Sequence, residues 1–352
     1  MGAQKYLTAG LAISYLLILA ACGGGSGGGG GGSPPVAAPG SFSAITATMG
    51  VPRANHTATR LGNGKVLITG GFSSNVLPAP TLDTAELYDS TTGTFAALTG
   101  RMTSTRTSHA ATLLPGGQVL LTGGQIAHNN ADGSTGAELY DPVTQTFSAI
   151  TAQMVSPRGG HSATLVPGGK VLLAGGFNRG NGTLVSDAEL YDPAMQTFTA
   201  ITSPMSAERP QHAAVLLPNG KVLLIGGDGA THGTSLASAE LYDPGTQTFS
   251  LLGTTMLSPR TGHIAALLPS GVVLIAGGGT LNNANIPASI VLNTAEIFNP
   301  GTQVFSASLL TLIQGRFFFA AASLTDGSVF ITGGAVVNPG LTILSTAEVY
   351  TP

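Results

Sequence analysis

The sequence predicts an all-β protein, a six-bladed β-propeller with four antiparallel strands per blade. Three observations predict it. A glycine pair returns at an interval near fifty residues. Each interval holds short apolar runs set between turn signals. The chain opens on a lone strand motif whose missing complement lies at its other end. Self-similarity at such a period is the mark of a repeat architecture, and evenly spaced short strands separated by turns indicate all-β structure.

The glycine pairs are Gly70-Gly71, Gly123-Gly124, Gly175-Gly176, Gly226-Gly227, Gly277-Gly278 and Gly333-Gly334, at steps of 53, 52, 51, 51 and 56 residues. Seventeen residues before each pair stands an arginine: Arg53, Arg106, Arg158, Arg209, Arg260 and Arg316. Three residues after the arginine come His56, His109, His161, His212 and His263, and in the sixth repeat Phe319. A glutamate follows each pair, at Glu86, Glu138, Glu189, Glu240, Glu296 and Glu348. Two residues on is an aromatic (Tyr88, Tyr140, Tyr191, Tyr242, Phe298, Tyr350). Seven beyond that, in the repeats that continue, is Phe95, Phe147, Phe198, Phe249 or Phe305.

The third repeat shows how the elements follow. The first strand begins at His161 and ends at Pro167-Gly168-Gly169, a turn signal. A second, rich in branched residues, runs from Lys170 into the glycine pair. Ala188-Glu-Leu-Tyr is a third strand, closed by Asp192-Pro193, and Gln196-Thr-Phe-Thr-Ala-Ile is the fourth. The last repeat stops at Pro352 without a fourth strand. Each of the repeat phenylalanines is followed seven residues on by Met102, Met154, Met205, Met256 or Leu312, and Phe42 to Met49 carries the same spacing ahead of Arg53, so this segment is expected to complete the sixth blade. Such closure removes open strand edges.

A glycine pair, a tyrosine and a large aromatic seven residues later resembles the kelch motif, over roughly residues 41–352. Kelch repeats usually place tryptophan as the second aromatic. This chain has no tryptophan and uses phenylalanine throughout, as a substitute wedge between blades. The resemblance implies a propeller. It also implies two functional classes, binding scaffolds and sugar-processing enzymes such as oxidases and sialic-acid mutarotases. The copper oxidases use a cysteine–tyrosine cofactor, which a chain with Cys22 as its one cysteine cannot build.

Residues 1–21 carry Lys5 and then an apolar run to Ala21, too short for a comfortable membrane span. It matches a secretory signal peptide. Leu19-Ala-Ala-Cys22 resembles a bacterial lipoprotein signal, which implies lipid on Cys22. Residues 22–40, mostly glycine, read as a flexible tether, and residues 41–352 as the propeller. No aspartate follows the cysteine, so the expected location is the outer membrane or cell surface.

Net charge is −3 and charged residues make up 8% of the chain, with no basic run, which argues against nucleic-acid binding. No phosphate-binding loop is present. The sixfold recurrence of Arg and Glu argues for structure, with each Arg paired to a Glu. The histidines, one per blade around a ring, are too dispersed for one metal ion. Each is expected to bond a backbone group of its own blade, with ligand binding as the alternative. No metal and no cofactor is expected.

The irregular loops between second and third strands share one face with the Met-to-Arg connections. They offer Asn129, Asn130, Asp132, Arg179, Asn181, Asp228, His232, Asn282 and Asn283 as candidate binding residues. The reading is a monomeric, surface-anchored, non-catalytic scaffold that recognises a protein or glycan through this face. The alternative is a mutarotase-like carbohydrate-processing enzyme with a site at the channel mouth.

Overall fold

The computed structural model describes residues 40–76, 80–125, 134–178, 180–229, 234–280, 290–337 and 340–352. The leader, Cys22 and the tether lie outside the described residues. Among the described residues the regular structure is all β, with six four-stranded antiparallel sheets.

Blade 3 is built from Ser162–Leu165, Val171–Ala174, Ala188–Asp192 and Thr197–Ile201, paired in that order. Its second strand is buried at every residue, as in the other five blades. A strand covered on both faces has no solvent side, which is why Val-Leu-Leu-Ala reads as an unbroken apolar run. The outer strand is mostly exposed, with Phe198 half-buried. Tyr191 and Phe198 are direct cross-strand partners, their ring centroids 4.7 Å apart and tilted by 44°. The same pair recurs from Tyr88–Phe95 to Phe298–Phe305.

The turn before each outer strand is set locally. In blade 3 the Asp192 carboxylate accepts from the backbone of Ala194 and Met195, and Gln196 takes a left-handed conformation. Lys170 pairs with Asp192 at 3.2 Å on this exposed edge.

The core lies between blades. Leu114, Leu120, Ile150 and Met154 of one blade pack with Val171, Leu173 and Tyr191 of the next, and Phe198 seals the edge. Equivalent clusters fill the other interfaces.

The ring closes as the termini suggest. Ser41–Ile45 pairs antiparallel with Ala347–Thr351, and Phe42 packs on Tyr350 at 5.1 Å. Blade 6 is therefore three C-terminal strands plus one N-terminal strand.

Candidate functional site

Each arginine forms the centre of a buried hub. Arg209 donates through Nε to Glu240 at 3.0 Å and through Nη2 at 2.7 Å, while Nη1 bonds the carbonyls of Gly226 (3.1 Å) and Ser238 (3.0 Å). The second oxygen of Glu240 accepts from the Ser206 backbone N–H at 2.8 Å. The hub thus fastens the incoming connection to its own blade. All six repeats bring the arginine onto its glutamate, at 2.6–3.1 Å. A fifth bond varies: Thr84, Asp187, Ser238, Thr294 and Thr346 offer side-chain oxygen to Nη2, and blade 2 has Gly136 in that place.

The histidines differ from their expected role. They reach across the blade interface, and the glycine pair is the socket they enter. A Cβ on Gly70 would lie 2.8 Å from His109 Cε1, and one on Gly71 would lie 2.9 Å from His56 Cβ. Both glycines have positive φ, 62° and 88°. Only glycine meets both demands.

The ring nitrogens find hydroxyl groups on the preceding blade. His109 Nε2 lies 2.9 Å from Thr69 Oγ1 and 3.2 Å from Thr57 Oγ1. His161 Nε2 lies 2.9 Å from Thr122 Oγ1. His212 also bonds its own blade, through Nδ1 to the Arg209 carbonyl, so Nδ1 carries the proton and Nε2 accepts from Ser162 Oγ at 2.9 Å. At His56 the corresponding Thr332 hydroxyl points to the Met49 sulfur, 3.3 Å away. His263 meets Ala213 and Ile225 at the equivalent positions, and neither of its nitrogens has a hydrogen-bond partner. Phe319, in the sixth socket, packs with Ile264 and Ala276 in one apolar cluster.

Burial, reinforced by neighbouring guanidinium groups, holds these imidazoles neutral. It pulls His109 and His263 down to about 3 and His212 to about 4, with Arg106, Arg53 and Arg260 adding to the effect at the first two. His56 and His161 are also displaced well below the ordinary value by burial and then by Arg53 and Arg158. Among the described residues no group of three or more His, Cys, Asp or Glu side chains could hold a metal ion.

The residue just before each socket side chain forms a feature that sequence reasoning missed. Asn55, Ser108, Gly160, Gln211, Gly262 and Phe318 all have φ between 53° and 62°. Each backbone N–H donates to the carbonyl of its predecessor around the axis. The bonds run Asn55 to Phe318 (2.8 Å), Ser108 to Asn55 (2.9 Å), Gly160 to Ser108 (2.7 Å), Gln211 to Gly160 (2.8 Å), Gly262 to Gln211 (3.0 Å) and Phe318 to Gly262 (2.9 Å). This is a closed hoop of hydrogen bonds. A cavity of about 130 Å³ lies on the axis, bounded by these residues and the socket side chains. The only hint in the sequence is two glycines and an asparagine, residues that tolerate positive φ, among six otherwise unrelated residues at one repeat position.

The described parts of the loops between second and third strands lie beside the hoop. Phe72, Phe317, Phe318, Leu341 and Ile343 gather with Ala54 and Ala335 into an apolar wall. The three phenylalanines of the sixth repeat therefore divide: Phe319 fills the blade interface, and Phe317 and Phe318 join the mouth. Gln125 and Asp228 stand by the hoop on other blades, paired through backbone to Thr107 and Pro210. Of the loop candidates, Asn181 is exposed and caps its own turn by accepting from Thr183. Asp228 is half-buried. Asn129, Asn130, Asp132, Arg179, His232, Asn282 and Asn283 lie outside the described residues.

Comparison with known proteins agrees with this architecture. Residues 158–205 and 209–256 match the Kelch motif family. An F-box/kelch-repeat protein of Arabidopsis thaliana is 29% identical over 159 residues, 45% of this chain and 41% of that protein. Acyl-CoA-binding domain-containing protein 4 of the same plant is 26% identical over 194 residues, 53% of this chain and 27% of that protein. The chain thus spans less than half the length of these relatives. The solved structure of YjhT superposes with a TM-score of 0.70 at 15% identity, covering 85% of this chain and 95% of that one.

Proposed function

We propose, from a chain that is a six-bladed kelch-repeat β-propeller, a non-catalytic binding scaffold that engages a protein or glycan through its second-to-third-strand loop face. One observation carries the reading. The repeated Arg, Glu and His side chains, which would be the reserve for acid–base work, are buried in blade packing. The residues that vary from blade to blade sit on the loop face, where binding groups on rigid scaffolds concentrate. Among the described residues no carboxylate bounds the axial cavity, so support for the mutarotase-like alternative is weaker.

A photo-crosslinking residue at Asn181, on the loop face, is compared with one at Thr197, at the opposite end of the blade, in cells that make the protein. Adducts are expected at position 181 and not at 197. Equal labelling, or acceleration of sugar anomer exchange by the purified protein, would overturn the reading. The lipid anchor is a further part of the proposal: Cys22→Ala should abolish palmitate labelling and move the chain from the membrane pellet to the soluble fraction. A monomer attached through one lipidated residue suits a face that points away from the membrane.

A further inference from the structure

We infer that the floor of the axial mouth binds one neutral sugar ring, with the phenyl group of Phe318 as stacking plate and the Gln211 amide as hydrogen-bonding edge. This deepens the scaffold reading and rests on it. The hoop is symmetric in its backbone and asymmetric in its side chains. Gly160 and Gly262 leave two places bare, and neighbours lie over them. A Cβ on Gly262 would come within 2.9 Å of Phe318 Cε1, and one on Gly160 would lie 3.0 Å from both Gln211 Nε2 and Phe177 Cε1. One half of the floor is therefore phenyl, continuous with the apolar wall of Phe317 and Phe72. The other half is amide, beside the Ser108 hydroxyl at 3.5 Å. That loose bond is one a ligand hydroxyl can replace.

Phe318 is also the outlier by residue type among the hoop positions. Phe318 has φ of 55°, a conformation uncommon for a bulky aromatic, where blades 3 and 5 use glycine. The hoop imposes this conformation at all six positions, and at Phe318 alone it carries an aromatic ring, half-buried, at the edge of the mouth.

The chemistry of the lining selects the ligand. Among the described residues that line the cavity none carries a formal charge once the imidazoles are held neutral, so a carboxylate or phosphate finds no counter-ion there. A pyranose has an apolar C–H face and a hydroxyl edge, matching a plate and an amide set side by side. A cavity of about 130 Å³, at roughly 10–15 Å³ per water, holds about one hexose and not a chain.

The test uses the full-length chain in saturation-transfer NMR and calorimetry. The probes are glucose, galactose, mannose and N-acetylglucosamine, with glucuronate and inorganic phosphate as charged controls. At least one neutral sugar should bind in the millimolar range and neither control should. Phe318→Gly and Gln211→Gly place glycine at left-handed positions, so both should fold with an unchanged or higher Tm. Phe318→Gly should weaken the sugar by about tenfold or more. Absence of neutral-sugar binding, equal binding of glucuronate, or binding indifferent to Phe318→Gly would overturn the inference. Failure here with crosslinking at Asn181 intact would leave the scaffold reading standing. Anomer exchange catalysed by the protein would instead remove that reading.

Discussion

Arg209 and Glu240 show what one buried charge requires. The guanidinium is fully buried, with four N–H bonds made to the carboxylate and two carbonyls. Arg209→Ala would strand the carboxylate and should cost about 3–5 kcal/mol by chemical denaturation. The histidines divide by their partners. His109→Phe would remove the imidazole shared by Thr57 and Thr69, whose hydroxyls keep their own bond of 2.7 Å, and should cost about 1 kcal/mol. His263→Phe should leave stability unchanged or raise it, since neither nitrogen is bonded and Phe319 fills the same socket in blade 6. A fall in Tm for His263→Phe would show that its imidazole has a role outside packing. The Arg–Glu pairing was legible in the sequence because both partners recur at fixed spacing within one repeat. The hydroxyl partners of the histidines were not. They lie about forty residues back, on another blade, at positions held by Thr in some repeats and by Ala or Ile in others.

At the scale of the strand, the repeat fixes its own exceptions. Two residues before each glutamate, at the start of the third strand or just ahead of it, stands a side chain that accepts from arginine Nη2, and Gly136 is the gap in that series. A Cβ there would lie 3.6 Å from Arg106 Nη2 and 3.1 Å from Ser134 Oγ, which must shift slightly. Gly136→Thr should raise stability by about 1 kcal/mol, measured by thermal unfolding. Gly226→Ala should do the reverse, since its Cβ would meet His263 Cε1 at 2.7 Å in a backbone region that resists side chains. The strands themselves were legible from apolar runs and turn residues. The hoop was not, because it is made of backbone alone and asks of each residue only that it tolerate positive φ.

For the whole molecule, the buried histidines set an acid limit. Their pKa values in the folded state lie below the unfolded value of about 6.5, and the neutral form is the one that fits. Above pH 7 they add nothing to the pH dependence. As pH falls below about 6.5 the unfolded chain takes up protons that the folded chain refuses, so stability drops until the folded pKa values, about 3 to 4, are reached. Each histidine contributes up to about 1.4 kcal/mol per pH unit in that window. Tm should therefore be flat above pH 7 and fall steeply from about pH 6 to pH 4, and His263→Phe should lower the proton uptake on unfolding by about one. Ring closure is the other molecular requirement. Deleting residues 41–49 would expose the edge of Ala347–Thr351 and remove Met49 from its cluster, so the shortened chain is expected to aggregate in light scattering.

The hoop has an electrical consequence. Its peptide groups follow one another head to tail around the axis, so their dipoles circulate, and the components in the plane of the circle sum to nearly zero. A helix end or a backbone nest aligns such dipoles and draws ions. Six blades here turn the same groups into a closed circuit in which every hoop N–H is already spent on a neighbour's carbonyl, so the hoop has none left over with which to hold an anion.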